Sequence, residues 1–282
     1  MNIKFKYIGT IVLSTALCLT LHLLTPPVLA SDTSANTLSK LVLLIGLPLT
    51  ALLWAIIGYS CVAFVFYLIE DRIPGNKSVR GLKYGISIGL LWLLGYIMGV
   101  PKSGNPFINE FVGGLCDAIP VVLMGWLLGR SSKEADSINT YNTFYRYQSF
   151  IGIVVFVLVF SLIRIVSYYT NIIDTGFRTD PVYTLVWTIV TGLCLGLTYL
   201  LLRKTTPSSS SLLSSIKFGF ILFGLTWGGF FIFIPLVLKG QMINTIFMFL
   251  IDTISVTIAY YLSEIVSLPR TVEQSSQGYN IC

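Results

Sequence analysis

Apolar residues dominate eight long stretches of the chain, at 7–24, 41–69, 84–100, 111–128, 150–169, 182–202, 218–238 and 243–262, and polar residues gather between them. A helix needs about 20 apolar residues to cross ~30 Å of hydrocarbon, and each stretch approaches or exceeds that length. The runs are continuously apolar, whereas strands of a membrane barrel alternate in polarity. The expected fold is therefore all-α: a polytopic integral membrane bundle of about eight transmembrane helices, with no interval long enough for a soluble domain.

The stretches resemble one another in order. A shift of 134 residues places Lys83, Gly85, Leu91, Gly95 and Pro101 on Lys217, Gly219, Leu225, Gly229 and Pro235. After one inserted residue, Ile108, Asn109, Leu115, Asp117, Ile119 and Val121 fall on Ile243, Asn244, Leu250, Asp252, Ile254 and Val256. Upstream, Leu52, Trp54, Ile56, Cys61 and Leu68 meet Leu185, Trp187, Ile189, Cys194 and Leu201. Paired Lys, Gly, Pro, Asn and Asp are harder to obtain by chance than paired leucines. The expected organisation is two four-helix tandem repeats, 1–129 and 149–267, with a linker at 130–148, a Ser-rich loop at 205–215 and a tail at 268–282. Four spans per unit make the repeat parallel, its axis along the membrane normal.

Composition agrees: 55% of residues are hydrophobic and only 11% charged, against roughly 25% charged in soluble domains. The formal charge of +6 does not point to nucleic acid, because the basic residues divide by topology and form no stripe with interleaved aromatics. Lys4, Lys6, Arg72, Lys77, Arg80, Lys83, Arg130, Lys133, Arg146, Arg203, Lys204, Lys217 and Arg270 lie on the face of the N-terminus, and only Lys40, Lys102, Arg178 and Lys239 on the other. The positive-inside rule makes the first face, with both termini, cytoplasmic. The plasma membrane is the expected location.

Lys4 and Lys6 before an apolar run, and Val28-Leu29-Ala30 before Ser31, have the form of a signal peptide. The length of the run favours retention; cleavage after Ala30 would leave seven spans and an external N-terminus. Cys18, Cys61, Cys116 and Cys194 lie in apolar stretches and Cys282 ends the chain, with no disulfide framework or CxxC metal pattern. A single histidine excludes a His-rich metal site, and no cofactor motif is present. Asn76-Lys77-Ser78 fits a glycosylation sequon but falls in a cytoplasmic loop.

Three ionisable residues sit deep in the stretches: Asp117, Asp252 and Arg164. Intramembrane charges are costly and tend to face the bundle interior. At 1.5 Å per residue Asp117 lies about 9 Å and Asp252 about 14 Å from the outer ends of their stretches, toward the midplane. Gly113, Gly114 and Pro120 share a helix face with Asp117, and Ser255 and Ala259 share one with Asp252. Pro120 also leaves the Cys116 carbonyl without its helical donor. Arg164, between Ser161 and Ser167, can reach inward or snorkel outward. One reading is a shared site for a cation, a proton or a small polar solute, with Glu110 and His22 at its mouth. The other is hydrogen bonding between helices. Lys83 and Lys217 begin matching helices and read as snorkelling anchors. The pairs Gly85/Gly89, Gly95/Gly99, Gly125/Gly129, Gly192/Gly196 and Gly224/Gly228 permit close helix packing.

Three classes of function follow. A small permease-like carrier fits duplicated halves with charges near the midplane. A non-catalytic membrane subunit or assembly factor, in a homo-oligomer or with a partner chain, needs the carboxylates only for packing. An intramembrane enzyme would need a signature beyond paired aspartates, and HExxH and a serine–histidine pair are absent. Cysteine labelling tests the topology: probes in the 130–148 loop should react only from the cytoplasm and probes at 171–180 only from outside, and labelling of both from one side would exclude eight spans.

Overall fold

A computed structural model of the chain describes residues 3–25, 37–132, 145–206, 208 and 210–267. The cleavage-like sequence at 28–31, most of the linker and the tail lie outside these. The described chain runs through α1 (Ile3–Leu24), α2 (Lys40–Ile45), α3 (Leu47–Ile69), α4 (Lys77–Ile97), α5 (Val100–Ser103), α6 (Phe107–Ser131), α7 (Tyr145–Tyr169) and α8 (Pro181–Leu202). It continues through α9 (Ser211–Ile216), a π-helical stretch (Lys217–Gly224), α10 (Leu225–Phe231), α11 (Phe233–Val237) and α12 (Met242–Ser267). No named strand occurs among the described residues. Eight helical segments are long and apolar enough to cross a membrane.

Local chemistry moves several boundaries. The Asn76 side chain accepts from the Val79 amide, so α4 begins at Lys77 rather than at residue 84. Lys83 accordingly sits inside the helix, and its ammonium donates to the Pro74 carbonyl at 2.8 Å. Ser210 caps α9 in the same way through the Leu213 amide, which starts the seventh span at Ser211 and leaves half-buried Lys217 within it. Neither lysine begins its helix, as the apolar runs had suggested. The run at 41–69 is also divided, because Gly46 takes φ +83° and Pro48 opens a new helix.

Two prolines interrupt spans at corresponding places. Pro101 follows a turn at 98–99, and Pro235 follows a turn at Ile232. A proline cannot donate to the carbonyl four residues earlier, which for Pro101 is that of Ile97. The Tyr183 hydroxyl donates to this carbonyl at 2.7 Å.

Glycines bring the helices together. A Cβ on Gly81 would stand 2.2 Å from the Gly125 carbonyl oxygen, and one on Gly129 would stand 2.4 Å from that of Lys77. Backbone therefore meets backbone along α4 and α6, at Gly81 and Gly85 against Gly125 and Gly129. In the second half, Gly192 and Gly196 of α8 admit Val157 and Ile153 of α7. Within the first half α1 packs on α3 and α6, and within the second α7 packs on α8 and α12. Between halves, α3 meets α10 and α4 meets α8.

Indole donors fasten the crossing helices. Trp54 donates to the carbonyls of Gly229 (3.1 Å) and Phe230 (3.2 Å), Trp92 to that of Thr226 (3.1 Å) and Trp187 to that of Leu94 (2.7 Å). The outward surface is apolar, with Leu158, Leu162 and Val166 of α7 and Val182, Val186 and Ile189 of α8 exposed. The face away from the N-terminus is tied by Lys102 to Asp174 at 2.7 Å and by the Asn244 amide to the Asp174 carbonyl at 3.0 Å.

The glycine contact has a measurable consequence. Gly125→Leu should destabilise the detergent-solubilised protein by about 1–3 kcal/mol or more through overpacking. Gly9→Ala, at a position with no neighbour within 4 Å, should stay within about 0.5 kcal/mol of the parent. Equal melting temperatures for the two variants would rule out the backbone contact.

Candidate functional site: two charge centres beside an apolar cavity

Asp252 lies on the inward face of α12 and is fully buried, as is Arg164 on α7. The guanidinium grips the carboxylate with two donors, Nε to Oδ1 at 2.6 Å and Nη2 to Oδ2 at 2.5 Å. This bidentate geometry suits a planar guanidinium and is the strongest form of such a pair. Trp227 adds a third donor to Oδ2 at 2.9 Å. The guanidinium packs over the rings of Trp187 (5.1 Å) and Phe160 (5.6 Å), and its Nη1 lies 3.7 Å from the Met98 sulfur. Arg164 thus turns inward, and its charge is met by a carboxylate and by ring faces.

Asp117 on α6 has a different set of partners. His22 Nε2 lies 2.9 Å from its Oδ1, and the Cys18 thiol donates to the same oxygen at 3.4 Å. The Tyr59 hydroxyl donates to the Asp117 backbone carbonyl at 3.4 Å. Cys18 and His22, four residues apart on α1, present their heads on one face. The Tyr96 ring stacks on His22 at 6.3 Å between centroids. Cys18, His22 and Asp117 form the one group of three metal-capable side chains among the described residues, their ligand atoms all within 4.8 Å of one another.

A file of buried rings lies between the two centres. Tyr59 meets Trp92 at 5.4 Å, Trp92 meets Phe230 at 5.4 Å and Phe230 meets Trp227 at 5.9 Å, separations usual for interacting aromatics. Asp117 and Asp252 each have their own partners, His22 and Cys18 for the one and Arg164 and Trp227 for the other, and no hydrogen bond or ion pair joins them among the described residues.

A cavity of about 370 Å³ lies at the end of the bundle away from the N-terminus. Its walls come from both halves: Tyr96, Met98 and Glu110 from one, Phe230, Phe233 and Asn244 from the other. The lining is mainly apolar. Glu110 is 4% exposed, and its carboxylate accepts from the Asn105 amide at 2.9 Å. The remaining charges on the wall, Lys102 and Asp174, pair with each other. The ammonium beside Asp174 holds its pKa below the ordinary carboxylate range, helped by the Gly176 amide and opposed by partial burial.

Of the residues singled out from the sequence, the structure joins Arg164 to Asp252 and His22 to Asp117. Glu110 lines the cavity, but His22 does not join it there, and neither aspartate nor Arg164 lines the wall. Two wall residues border the centres instead: Tyr96 lies against His22, and Met98 lies against Arg164. The Cys18–His22 spacing was visible in the sequence, although its partner on α6 was not. Tyr96 and Met98 carried no sequence signal. Comparison of the chain with protein families, with curated proteins and with solved structures finds no match.

Removing one member of a buried ion pair strands the other, at a cost of about 3–5 kcal/mol. Asp252→Asn should therefore lower unfolding stability by roughly that amount, and Arg164→Met combined with Asp252→Leu should recover much of it. A single variant as stable as the parent in denaturant titration would show that the pair does not hold α7 to α12.

Proposed function

We propose that the chain is an eight-span integral membrane protein of permease type that takes up a small solute in the cavity between its two halves. Both termini face the cytoplasm in this reading, which follows from the division of basic residues and fits the apolar outer surface. A bilayer is its immediate surroundings, and a multi-pass plasma-membrane protein is the reading this supports.

Tandem duplication is part of the proposal. It is supported by the proline interruptions at Pro101 and Pro235, which differ by the 134-residue shift read in the sequence. It is further supported by reciprocal indole bonds, from Trp54 to Gly229 and Phe230 and from Trp187 to Leu94. Each aspartate also takes a basic partner from the first span of its own half. A parallel repeat places a solute site at the interface of the halves.

The observation that carries the solute reading is Glu110, a buried carboxylate with no basic partner of its own among the described residues, on the wall of a mainly apolar cavity. Its volume suits a small organic molecule. An amphipathic organic cation fits best, its ammonium on Glu110 and its apolar part against Phe230, Phe233 and Met248. Asp117, Asp252 and Arg164 then support the walls instead of touching the solute. That internal pairing also favours a second reading, a non-catalytic subunit in which the carboxylates only pack helices.

Phenethylammonium and its neutral alcohol counterpart discriminate. The cation should raise the melting temperature of the purified protein, the alcohol should do so far less, and Glu110→Gln should weaken the cation's effect by about tenfold, or ~1.4 kcal/mol. Equal response to both compounds would remove the carboxylate from the site. Binding without uptake into proteoliposomes would turn the assignment to the subunit reading.

A further inference from the structure

The cavity does not account for the group on α1 and α6. Cys18 and Asp117 are buried, at 0% and 2% exposure, while the His22 side chain is 29% exposed. A thiol, an imidazole and a carboxylate converge there, drawn from two packed helices. α1 belongs to the least buried of the eight candidate spans.

We propose that Cys18, His22 and Asp117 bind a divalent transition-metal cation of the zinc type. Thiolate, imidazole and carboxylate are the ligand classes zinc takes, and three protein ligands with an open fourth position make a recognised zinc geometry. Sulfur argues against calcium and magnesium, which take oxygen ligands. Charge supplies the second argument: a divalent cation is balanced by one thiolate and one carboxylate, and neutral imidazole adds none. The complex is electroneutral, the condition under which a metal among apolar helices has the smallest desolvation cost.

The distances are close to those required. Zinc bonds of about 2.0–2.3 Å at tetrahedral angles put ligand atoms about 3.3–3.7 Å apart. The Asp117–His22 and Asp117–Cys18 separations are 2.9 and 3.4 Å, and no pair of the ligand atoms is more than 4.8 Å apart. Small side-chain rotations close the set around one ion. On binding, the Cys18 S–H bond breaks, its electron pair becomes the Zn–S bond and the proton leaves to solvent. The partly exposed His22 ring marks the approach.

The site is separate from the cavity, since none of its three ligand residues lines that wall. Its role is to clamp the first span onto α6. The proposal therefore stands or falls independently of the solute reading.

The test uses the full chain, purified in detergent, stripped with a chelator and titrated with Co²⁺ and then Zn²⁺. One Co²⁺ per chain should bind with a thiolate-to-metal charge-transfer band, Zn²⁺ should bleach that band, and Zn²⁺ should raise the melting temperature. Cys18→Ser and His22→Gln should abolish the band or weaken binding by more than the about 10–100-fold that loss of an outer-shell partner costs. Cys116→Ala, at the thiol adjoining Asp117, should leave it intact. The parent protein decides the matter even if a variant fails to fold: binding without a thiolate band, or no binding at all, overturns the site. An intact mass showing that the chain begins at Ser31 overturns it as well, because both α1 ligands would be gone.

Discussion

A polar or charged group placed among apolar helices needs a hydrogen-bonding partner inside the protein, and the interior of this bundle is arranged around that requirement. Arg164 and Asp252 meet it with two hydrogen bonds, and two rings pack against the guanidinium. His22 and Cys18 meet it for Asp117. In each case the partner comes from the first span of a half and the carboxylate from its last. The pairing ties α1 to α6 and α7 to α12.

Further ties between the helices run through carbonyl oxygens. Helices leave few backbone groups free, and the indoles of Trp54, Trp92 and Trp187 use main-chain oxygens near the proline-interrupted ends of the third and seventh spans. An interruption that would expose a carbonyl to lipid is acceptable where another helix supplies a donor. Tyr183 supplies one for Ile97. Residues of α5 and α11, just past the interruptions, line the cavity: Lys102 and Ser103 on one side, Phe233, Ile234 and Val237 on the other.

Cavity and charge centres are thus neighbours without being one site. Tyr96 has one side on the cavity and another on His22, and Met98 stands likewise toward Arg164. Through these two side chains the cavity wall touches a partner of each aspartate. The ring file from Tyr59 through Trp92 and Phe230 to Trp227 runs from one charge centre to the other, and Phe230 also faces the cavity.

The eight apolar segments were legible in the sequence because hydrocarbon-crossing ability is a sum over one local stretch, indifferent to neighbours. The helix starts at Lys77 and Ser211 were not read, since the capping side chains of Asn76 and Ser210 lie in polar stretches that hydropathy passes over. Asp117, Asp252 and Arg164 stood out because charge is rare in such surroundings, yet the sequence left open whether the aspartates share a site. Only the packing of α7 on α12 and of α1 on α6 decided that Arg164 belongs to Asp252 and that Cys18 and His22 belong to Asp117. Which helix faces meet is set by the glycine contacts and indole bonds of the whole bundle, and a side chain's partner depends on that meeting and not on its own segment.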